Sequence, residues 1–366
     1  MARIALNARL LVPNRLEGIG WFTHECYSRL IASHPEHEFC LLFDRQPSNE
    51  FHYADHAIQR RVWPPARRPL LYDAWFDFGV AAALHSWNAD VFVSTDGMLS
   101  RRTMVPQLAV FHDLNFMHHP EWMPKREANY YRNRFPEFAK IARRIATVSE
   151  FSKRDIVTQF GVNEDDVDVV YNAPSSAYYP RPGNEAGQIE KDYAAGNPYF
   201  IFVGSLHPRK NLGGLLEAFR KYQEAGGINH LVIVGENMWQ KDRAAEEGVH
   251  FVGRLDQAVL SGLMAAARAL VFVPWFEGFG IPIVEAFASG TPVIASDTSS
   301  MPEVCGGAAA ALVNPGESQE IAHAMLQIDR DSAFCDAAVQ RGLVRAGEFS
   351  WNDSADRLWK SIEKIL

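Results

Sequence analysis

Val271-Phe272-Val273-Pro274-Trp275-Phe276-Glu277-Gly278-Phe279-Gly280-Ile281-Pro282-Ile283-Val284-Glu285-Ala286-Phe287-Ala288-Ser289-Gly290 is the stretch that decides the fold. It opens with an apolar run of the kind that forms a buried strand and turns at Gly278 and Gly280. It restarts as a helix with Pro282 in the first turn, where a missing N–H costs nothing. Such a strand–turn–helix unit collects unpaired backbone N–H groups and the positive end of a helix dipole at one place, an anion site. The donors would come from Gly278, Phe279, Gly280 and Ile281. Glu277 sits on the turn and Glu285 about one helical turn inside the helix. A carboxylate accepts two hydroxyl hydrogen bonds at once, so the pattern suits a polyol beside a phosphate, which is what a nucleotide sugar is. The bland alternative is a common α/β turn with solvated glutamates.

Thr291-Pro292-Val293-Ile294-Ala295-Ser296-Asp297 then reads as a second short strand, and Met301-Pro302-Glu303-Val304 opens another helix. Glu277 and Glu285, with seven residues between them and Ala286-Phe287-Ala288-Ser289-Gly290-Thr291-Pro292-Val293-Ile294-Ala295-Ser296 after them, resemble the E-x7-E region of the family-4 retaining glycosyltransferases. The resemblance implies an α/β chain of the GT-B type, two Rossmann-like domains with parallel sheets facing a central cleft. By position it gives Glu285 the ribose of the nucleotide and places Glu277 beside the transferred sugar.

At 366 residues the chain is longer than one ordinary domain, and two of about 170 residues are expected. The net charge of −8 argues against nucleic acid as a partner, which favours a basic domain. Cys26, Cys40, Cys305 and Cys335 are widely spaced and show no CxxC pair, which favours free thiols over disulfides or zinc. The first residues are too often charged for a secretion signal, and the apolar stretch from Leu263 to Phe276 is broken by Arg268. A cytoplasmic location is expected, with peripheral contact on an anionic membrane as an addition.

In chain order, residues 3–8 read as a strand, followed by a loop containing Gly18-Ile19-Gly20 and a helix from Trp21 to Ser33. Gly18 and Gly20 permit close backbone approach at a helix start. In the resembled family this loop lies over the donor phosphates. Residues 39–43 form a strand, and the stretch to residue 70 reads as an irregular loop. It carries Arg60, Arg61, Trp63, Arg67 and Arg68, either a solvated surface or a contact for acceptor or membrane. Strands follow at 90–94, with Thr95-Asp96-Gly97 turning after it, and at 107–111. The latter ends in His112-Asp113, at the strand end where ligands gather in open α/β sheets. The family places a histidine there, beside the donor sugar. Residues 124–142 form a basic amphipathic helix, a solvated face or a lipid contact. Ser149 caps a helix after the strand from Arg144, and Asp166-Val167-Asp168 enters a strand reaching Tyr171 and is no metal site.

The stretch 181–197 is rich in Pro and Gly and reads as the linker. It separates a first domain, residues 1–180 joined by a last helix at 351–366, from a second at 198–350. The second begins with a strand from Tyr199 to Gly204 and a loop carrying Arg209 and Lys210, where a diphosphate would be met head-on. The family binds diphosphate with a lysine at this position and a nearby arginine. Many members have an arginine directly after Gly204, where this chain has Ser205. Asn237, after the strand at 231–235, and Arg254 with Leu255, after the strand at 250–253, complete the donor set. In relatives the backbone at the last position pairs with the base. Residues 263–269 read as a helix.

The resulting expectation is a retaining, metal-independent hexosyltransferase with no cofactor. It would take a GDP- or UDP-sugar, GDP-mannose being favoured by resemblance to O-antigen and capsule mannosyltransferases. The acceptor would be a hydroxyl of a cell-surface glycan or lipid-linked precursor. His112, Glu277, Lys210 and Arg209 form the catalytic set. The alternatives are a nucleotide-sugar 2-epimerase and a non-catalytic nucleotide-sugar-binding subunit.

Overall fold

The computed structural model describes all residues except 67–68, 183–185 and 237–245, and the side chains of residues 69 and 70. The chain divides into two compact units, Met1–Asn172 with Trp351–Leu366, and Ala173–Ser350. Each is built on one parallel sheet, whose strands are near-continuous apolar runs because helices cover both faces.

The first sheet comprises β1 (Arg3–Asn7), β2 (Glu38–Phe43), β3 (Ala57–Arg61), β4 (Val91–Ser94), β5 (Gln107–Phe111), β6 (Arg144–Thr147) and β7 (Val167–Val169). Its spatial order is β3-β2-β1-β4-β5-β6-β7. The second comprises β8 (Tyr199–Val203), β9 (His230–Val234), β10 (Val249–Gly253), β11 (Ala269–Phe272), β12 (Val293–Ser296) and β13 (Ala311–Val313), in the order β10-β9-β8-β11-β12-β13. In both sheets the strand order reverses once, between β1 and β4 and between β8 and β11. The loops leaving the carboxyl ends of those strands diverge there, which is where open α/β sheets receive ligands.

Several expectations change. The first helix runs Gly18–Ser33, so Gly18 and Gly20 lie in its first turn and not in a loop before it. A Cβ on Gly20 would stand 3.0 Å from the Leu10 carbonyl oxygen, so glycine is needed for packing, whereas Gly18 faces open space. Part of the arginine-rich "loop" is strand β3, parallel to β2 with Ala57 opposite Phe39 and Arg61 opposite Phe43. Its sequence, Ala-Ile-Gln-Arg-Arg, carries too few apolar residues to announce a strand because it lies at the sheet edge. Arg67 and Arg68 lie outside the described residues. The helix expected at 263–269 is Gln257–Ala266, and Ala269 already belongs to β11. β7 stops at Val169, short of Tyr171, and the stretch expected as linker carries the helix Ala186–Tyr193 within the second unit.

The last helix, Trp351–Glu363, packs in the first unit. Trp359 stacks on His34 with ring centroids 3.7 Å apart, and Ser354 donates to the Tyr171 carbonyl at 2.6 Å. Asp168 on β7 is the anchor. Its carboxylate accepts from Arg144 Nε at 2.5 Å, Ser361 Oγ at 2.8 Å and Lys364 Nζ at 2.8 Å. The carboxylate of the D-x-D string nearest the strand is thus engaged in fastening the chain end to the sheet. Burial alone would raise its pKa, but the hydrogen bonds from Arg144, Lys364 and Ser361 outweigh it and hold the group down at about 2.

A carboxylate depressed in this way contributes stability that is present above its unfolded value and is lost as pH falls through the folded one. Asp168→Ala is expected to cost about 1–3 kcal/mol in urea unfolding at pH 7, because Arg144 loses its bidentate acceptor. The difference from wild type should shrink below about pH 3, where the native carboxylate also protonates.

Candidate active site

In the second unit the loops leaving β8 and β11 meet. The loop after β8 turns through Gly204, forms a short 3-10 turn at Pro208–Lys210, and passes Asn211 in the left-handed region (φ 55°) into the helix Leu212–Glu224. His207 accepts from the Arg209 N–H to close that turn. The buried Asn211 amide donates to the carbonyls of Val273 at 3.1 Å and Pro315 at 2.7 Å, stitching the loop to the one after β11. The Trp275 N–H donates back to the Arg209 carbonyl at 2.9 Å.

Glu277 joins the two loops electrostatically. Its Oε1 lies 2.7 Å from Arg209 Nη1 and 2.6 Å from Lys210 Nζ, with Glu277 and Lys210 both buried. Burial would raise the Glu277 pKa, and the adjacent Arg209 and Lys210 charges reverse that and hold it below the usual value. Two cations face one carboxylate, so the cluster carries an excess positive charge. Ser300 Oγ fixes the glutamate's backbone, its single hydrogen shared between the carbonyls of Glu277 at 2.9 Å and Phe279 at 3.1 Å. Lys210 also lies over the Phe272 ring, 4.8 Å from its centroid. Ser205 is exposed and adds no charge.

Gly280 (φ 95°) leads into the helix Ile281–Ala288, with Pro282 in its first turn, so the sequence-predicted strand–turn–helix unit is present. Glu285 sits on that helix, and Tyr178 hydrogen-bonds its carboxyl group. Burial pushes the Glu285 pKa up to about 8, the Tyr178 hydroxyl only partly opposing it. Sequence reasoning missed Tyr178, since nothing around it marks a partner more than a hundred residues along the chain. Gly204 and Gly235 end neighbouring strands. A Cβ on Gly235 would fall 1.9 Å from the Gly204 carbonyl oxygen, so the backbones touch there. Arg254 is exposed and Leu255 half-buried just past β10. Asn237 lies outside the described residues.

In the first unit the loops after β1 and β4 meet in the same way. Arg9 donates from Nη2 at 2.7 Å and Nε at 2.9 Å to Asp96 Oδ2, both residues nearly enclosed. Neither was singled out in the sequence as a site residue. Thr23 Oγ1 meets Thr95 Oγ1 at 2.7 Å, fixing the first helix on the same loop. His112, just past β5, places Nε2 2.8 Å from the Thr95 carbonyl oxygen and packs edge-on against Phe22. A carbonyl can only accept, so Nε2 carries the hydrogen and Nδ1 is the acceptor in the neutral ring. Burial lowers the His112 pKa, which favours that neutral ring. No helix among the described residues is long and apolar enough to cross a membrane.

Two parallel α/β units with ligand-type loops at their strand reversals are the frame of GT-B glycosyltransferases, and the chain superimposes on such enzymes over its full length. Sucrose-phosphate synthase from Thermosynechococcus elongatus matches with a TM-score of 0.77 at 16% identity, covering 100% of this chain and 99% of that one. Anabaena Alr3699/HepE, solved in complex with UDP-glucose, matches with a TM-score of 0.75 at 17% identity over 100% of both chains. The family model described as Glycosyltransferase Family 4 matches residues 16–174, and that described as Glycosyl transferases group 1 matches residues 197–331. O-antigen chain mannosyltransferase B from Escherichia coli is 30% identical over 92% of this chain and 93% of its own. The phosphatidyl-myo-inositol mannosyltransferase of Mycobacterium leprae is 29% identical over 63% of this chain and 61% of its own. The chain belongs to the family-4, group-1 glycosyltransferases. It is a glycosyltransferase, and the epimerase and non-catalytic alternatives are set aside.

The raised pKa of Glu285 has a direct consequence for stability. A carboxyl group whose folded pKa exceeds its unfolded value contributes stability below the unfolded pKa of about 4.5 and loses it as pH rises through about 8. Glu285→Gln keeps the shape without the charge. Its melting temperature relative to wild type is therefore expected to climb between pH 5 and pH 9, by about 2–4 °C for each kcal/mol of burial cost removed. A difference that stays flat over that range would place the native carboxylate in a wetter setting.

Proposed function

We propose that the protein is a retaining, metal-independent mannosyltransferase that moves mannose from GDP-mannose to a hydroxyl of a cell-surface glycan or lipid-linked precursor. The observation that carries the reading is the pair Arg209 and Lys210, brought onto Glu277 at the strand reversal of the second sheet. In this reading the pair receives the diphosphate of the donor, with the backbone N–H groups at Gly278–Ile281 and the start of that helix adding positive potential. Glu285 takes the ribose hydroxyls, and the backbone at Arg254 and Leu255 meets the base, with Gly204 allowing close approach. Glu277 orients the two cations and lies beside the sugar. His112, neutral and with Nδ1 available as an acceptor, meets a sugar hydroxyl. By the family resemblance the helix start at Gly18 and Gly20 is assigned to the donor phosphates. Mannose is favoured because similar relatives are named mannosyltransferases, among them one for the O-antigen chain that matches over 92% of this chain.

In a front-face displacement the bond from the anomeric carbon to the diphosphate oxygen breaks. The acceptor oxygen bonds on the same face and its proton passes to the departing diphosphate. Negative charge grows on the leaving group, so fixed cations that bind it more tightly in the transition state accelerate the step. Lys210 supplies such a charge, Arg209 takes the place that Ser205 leaves unfilled, and no divalent ion is required.

Lys210→Ala is expected to lower turnover more than donor affinity, and wild-type turnover in that variant would remove the lysine from the reaction. Glu285→Ala should weaken free GDP by roughly 1–3 kcal/mol, the worth of two hydrogen bonds between ribose hydroxyls and a neutral carboxyl group, as read by calorimetry. Transfer in excess EDTA should match transfer in Mg²⁺. Activity that disappears with EDTA and returns with Mg²⁺ or Mn²⁺ would replace fixed-charge catalysis with metal catalysis. A thermal-shift series across GDP-, UDP- and ADP-sugars reports the base, the true donor raising the melting temperature most. The peripheral membrane contact forms part of the same reading, since a lipid-linked acceptor is held at a bilayer surface.

A further inference from the structure

Trp275 stands two residues before Glu277 in the loop after β11 and is 42% exposed. The loop beneath it is firmly held. The Trp275 N–H donates to the Arg209 carbonyl at 2.9 Å. Three consecutive hydroxyls after β12 hold the remainder. Thr298 Oγ1 reaches the Trp275 carbonyl at 3.4 Å, and Ser299 Oγ accepts from the Glu277 N–H at 3.1 Å. Ser300 Oγ serves the Glu277 and Phe279 carbonyls. Ser299 makes its contact from the left-handed region (φ 52°), a conformation that is costly for a non-glycine residue and persists where its surroundings impose it. The outer edge of the indole's six-membered ring lies beside Gly316, where a Cβ would stand 3.6 Å from Cη2. No ring or cation among the described residues stacks on the indole.

An exposed ring on a loop fixed in this way loses little freedom when a partner covers it. Lys210 is buried, Arg209 half-buried and Trp275 exposed, so the indole marks the solvent side of the cation cluster. The sheet order gives a direction. Arg254 and Leu255, assigned to the base, follow β10 at one edge of the sheet. Arg209, Lys210 and Glu277, assigned to the diphosphate and sugar, sit at the reversal between β8 and β11. The Trp275 ring lies beyond them, against the loop after β13 at the other edge. A donor laid from base to sugar therefore runs towards Trp275, and the acceptor is what lies past its sugar. Residues 271–274 and 276–280 are all buried, so this loop offers solvent a single ring, the size of a sugar and far short of a protein interface. A pyranose presents a face of C–H groups to the negative face of an indole while its hydroxyls stay in water. We propose that the Trp275 indole is the platform on which a pyranose ring of the acceptor stacks, which sets its hydroxyl beside the donor sugar at Glu277. The inference rests on the donor reading above and adds the acceptor's place to it.

The probes are the methyl glycosides of mannose, glucose, galactose and N-acetylglucosamine. Transfer to them from GDP-mannose is followed by GDP release, and GDP and GDP-mannose affinities by calorimetry. Their contact with the protein is read by saturation-transfer NMR, with and without GDP. Trp275→Leu keeps apolar bulk without the ring, and should raise the KM of the glycoside by about tenfold and abolish the saturation transfer. Trp275→Phe should restore most of both, a return that a merely structural side chain would not give. GDP-mannose affinity should stay within about twofold in both variants, which also shows that the loop is intact. An unchanged glycoside KM in Trp275→Leu overturns the proposal, as does a wild type that contacts none of the glycosides. A fall in GDP-mannose affinity with GDP affinity kept would seat the donor sugar on the indole and overturn it too. Wild type that fails to bind GDP-mannose, while glycoside contact still depends on Trp275, overturns the donor reading alone.

Discussion

One carboxylate oxygen, Glu277 Oε1, holds two cations that arrive from a different loop. Burying an acid is costly unless it is paired, and burying Lys210 without an acid would be costly as well, so each residue is tolerable because the other is present. The loops after β8 and β11 are therefore locked together before any ligand arrives, with the Asn211 amide completing the lock through two carbonyls. On the proposed reading, a positively charged cluster held in this way has little to reorganise when negative charge develops on a leaving group. The first unit repeats the device with Arg9 and Asp96 across the loops after β1 and β4. In both sheets the reversal of strand order opens a space between loops, and a buried ion pair spans it.

The parallel α/β character was legible because buried strands read as apolar runs, and the ends of β5, β8 and β12 fell close to where those runs and turn residues placed them. The strands missed or blurred were those with weak apolar content: β3, an edge strand ending in two arginines, and β13, a short strand after an alanine run. The helix start at Gly18 was placed three residues late, because glycine is a poor helix former and nothing in the sequence shows that Gly20 packs against the Leu10 carbonyl. Arg209, Lys210 and Glu277 were picked out by residue type and position. Their mutual contact was not legible, since the lysine and the glutamate are separated by dozens of residues and only the sheet order brings them together. The same is true of Tyr178 with Glu285 and of Arg9 with Asp96.

The acidic string Asp165-Asp166-Val167-Asp168 shows how a pattern acquires its meaning from its surroundings. Its spacing alone suits a metal, but Asp168 is occupied by Arg144, Ser361 and Lys364. These donors come from the preceding strand, from the last helix and from the turn after it, more than 180 residues further on, so the carboxylate closes the first unit with a segment that follows the second in sequence. The chain end is thereby part of the first unit's core, with Trp351, Leu358, Trp359 and Ile362 buried on it.

Glu285 contrasts with Glu277, because among the described residues its carboxyl group meets a tyrosine hydroxyl and no cation. Glu277, in the loop before the helix, sits against two positive charges and stays ionised, whereas Glu285 on the helix meets the Tyr178 hydroxyl and favours its protonated form up to about pH 8. The two glutamates of the E-x7-E pattern thus differ in charge state through their neighbours alone. A protonated carboxyl can donate one hydrogen bond and accept others, so it can serve both lone pairs and hydrogens of a vicinal diol. On the proposed reading it would do so without placing a second negative charge near a diphosphate. On the proposed reading an ionised Glu285 would repel the phosphates that Arg209 and Lys210 receive, and burying it beside a tyrosine rather than an arginine removes that repulsion near neutral pH.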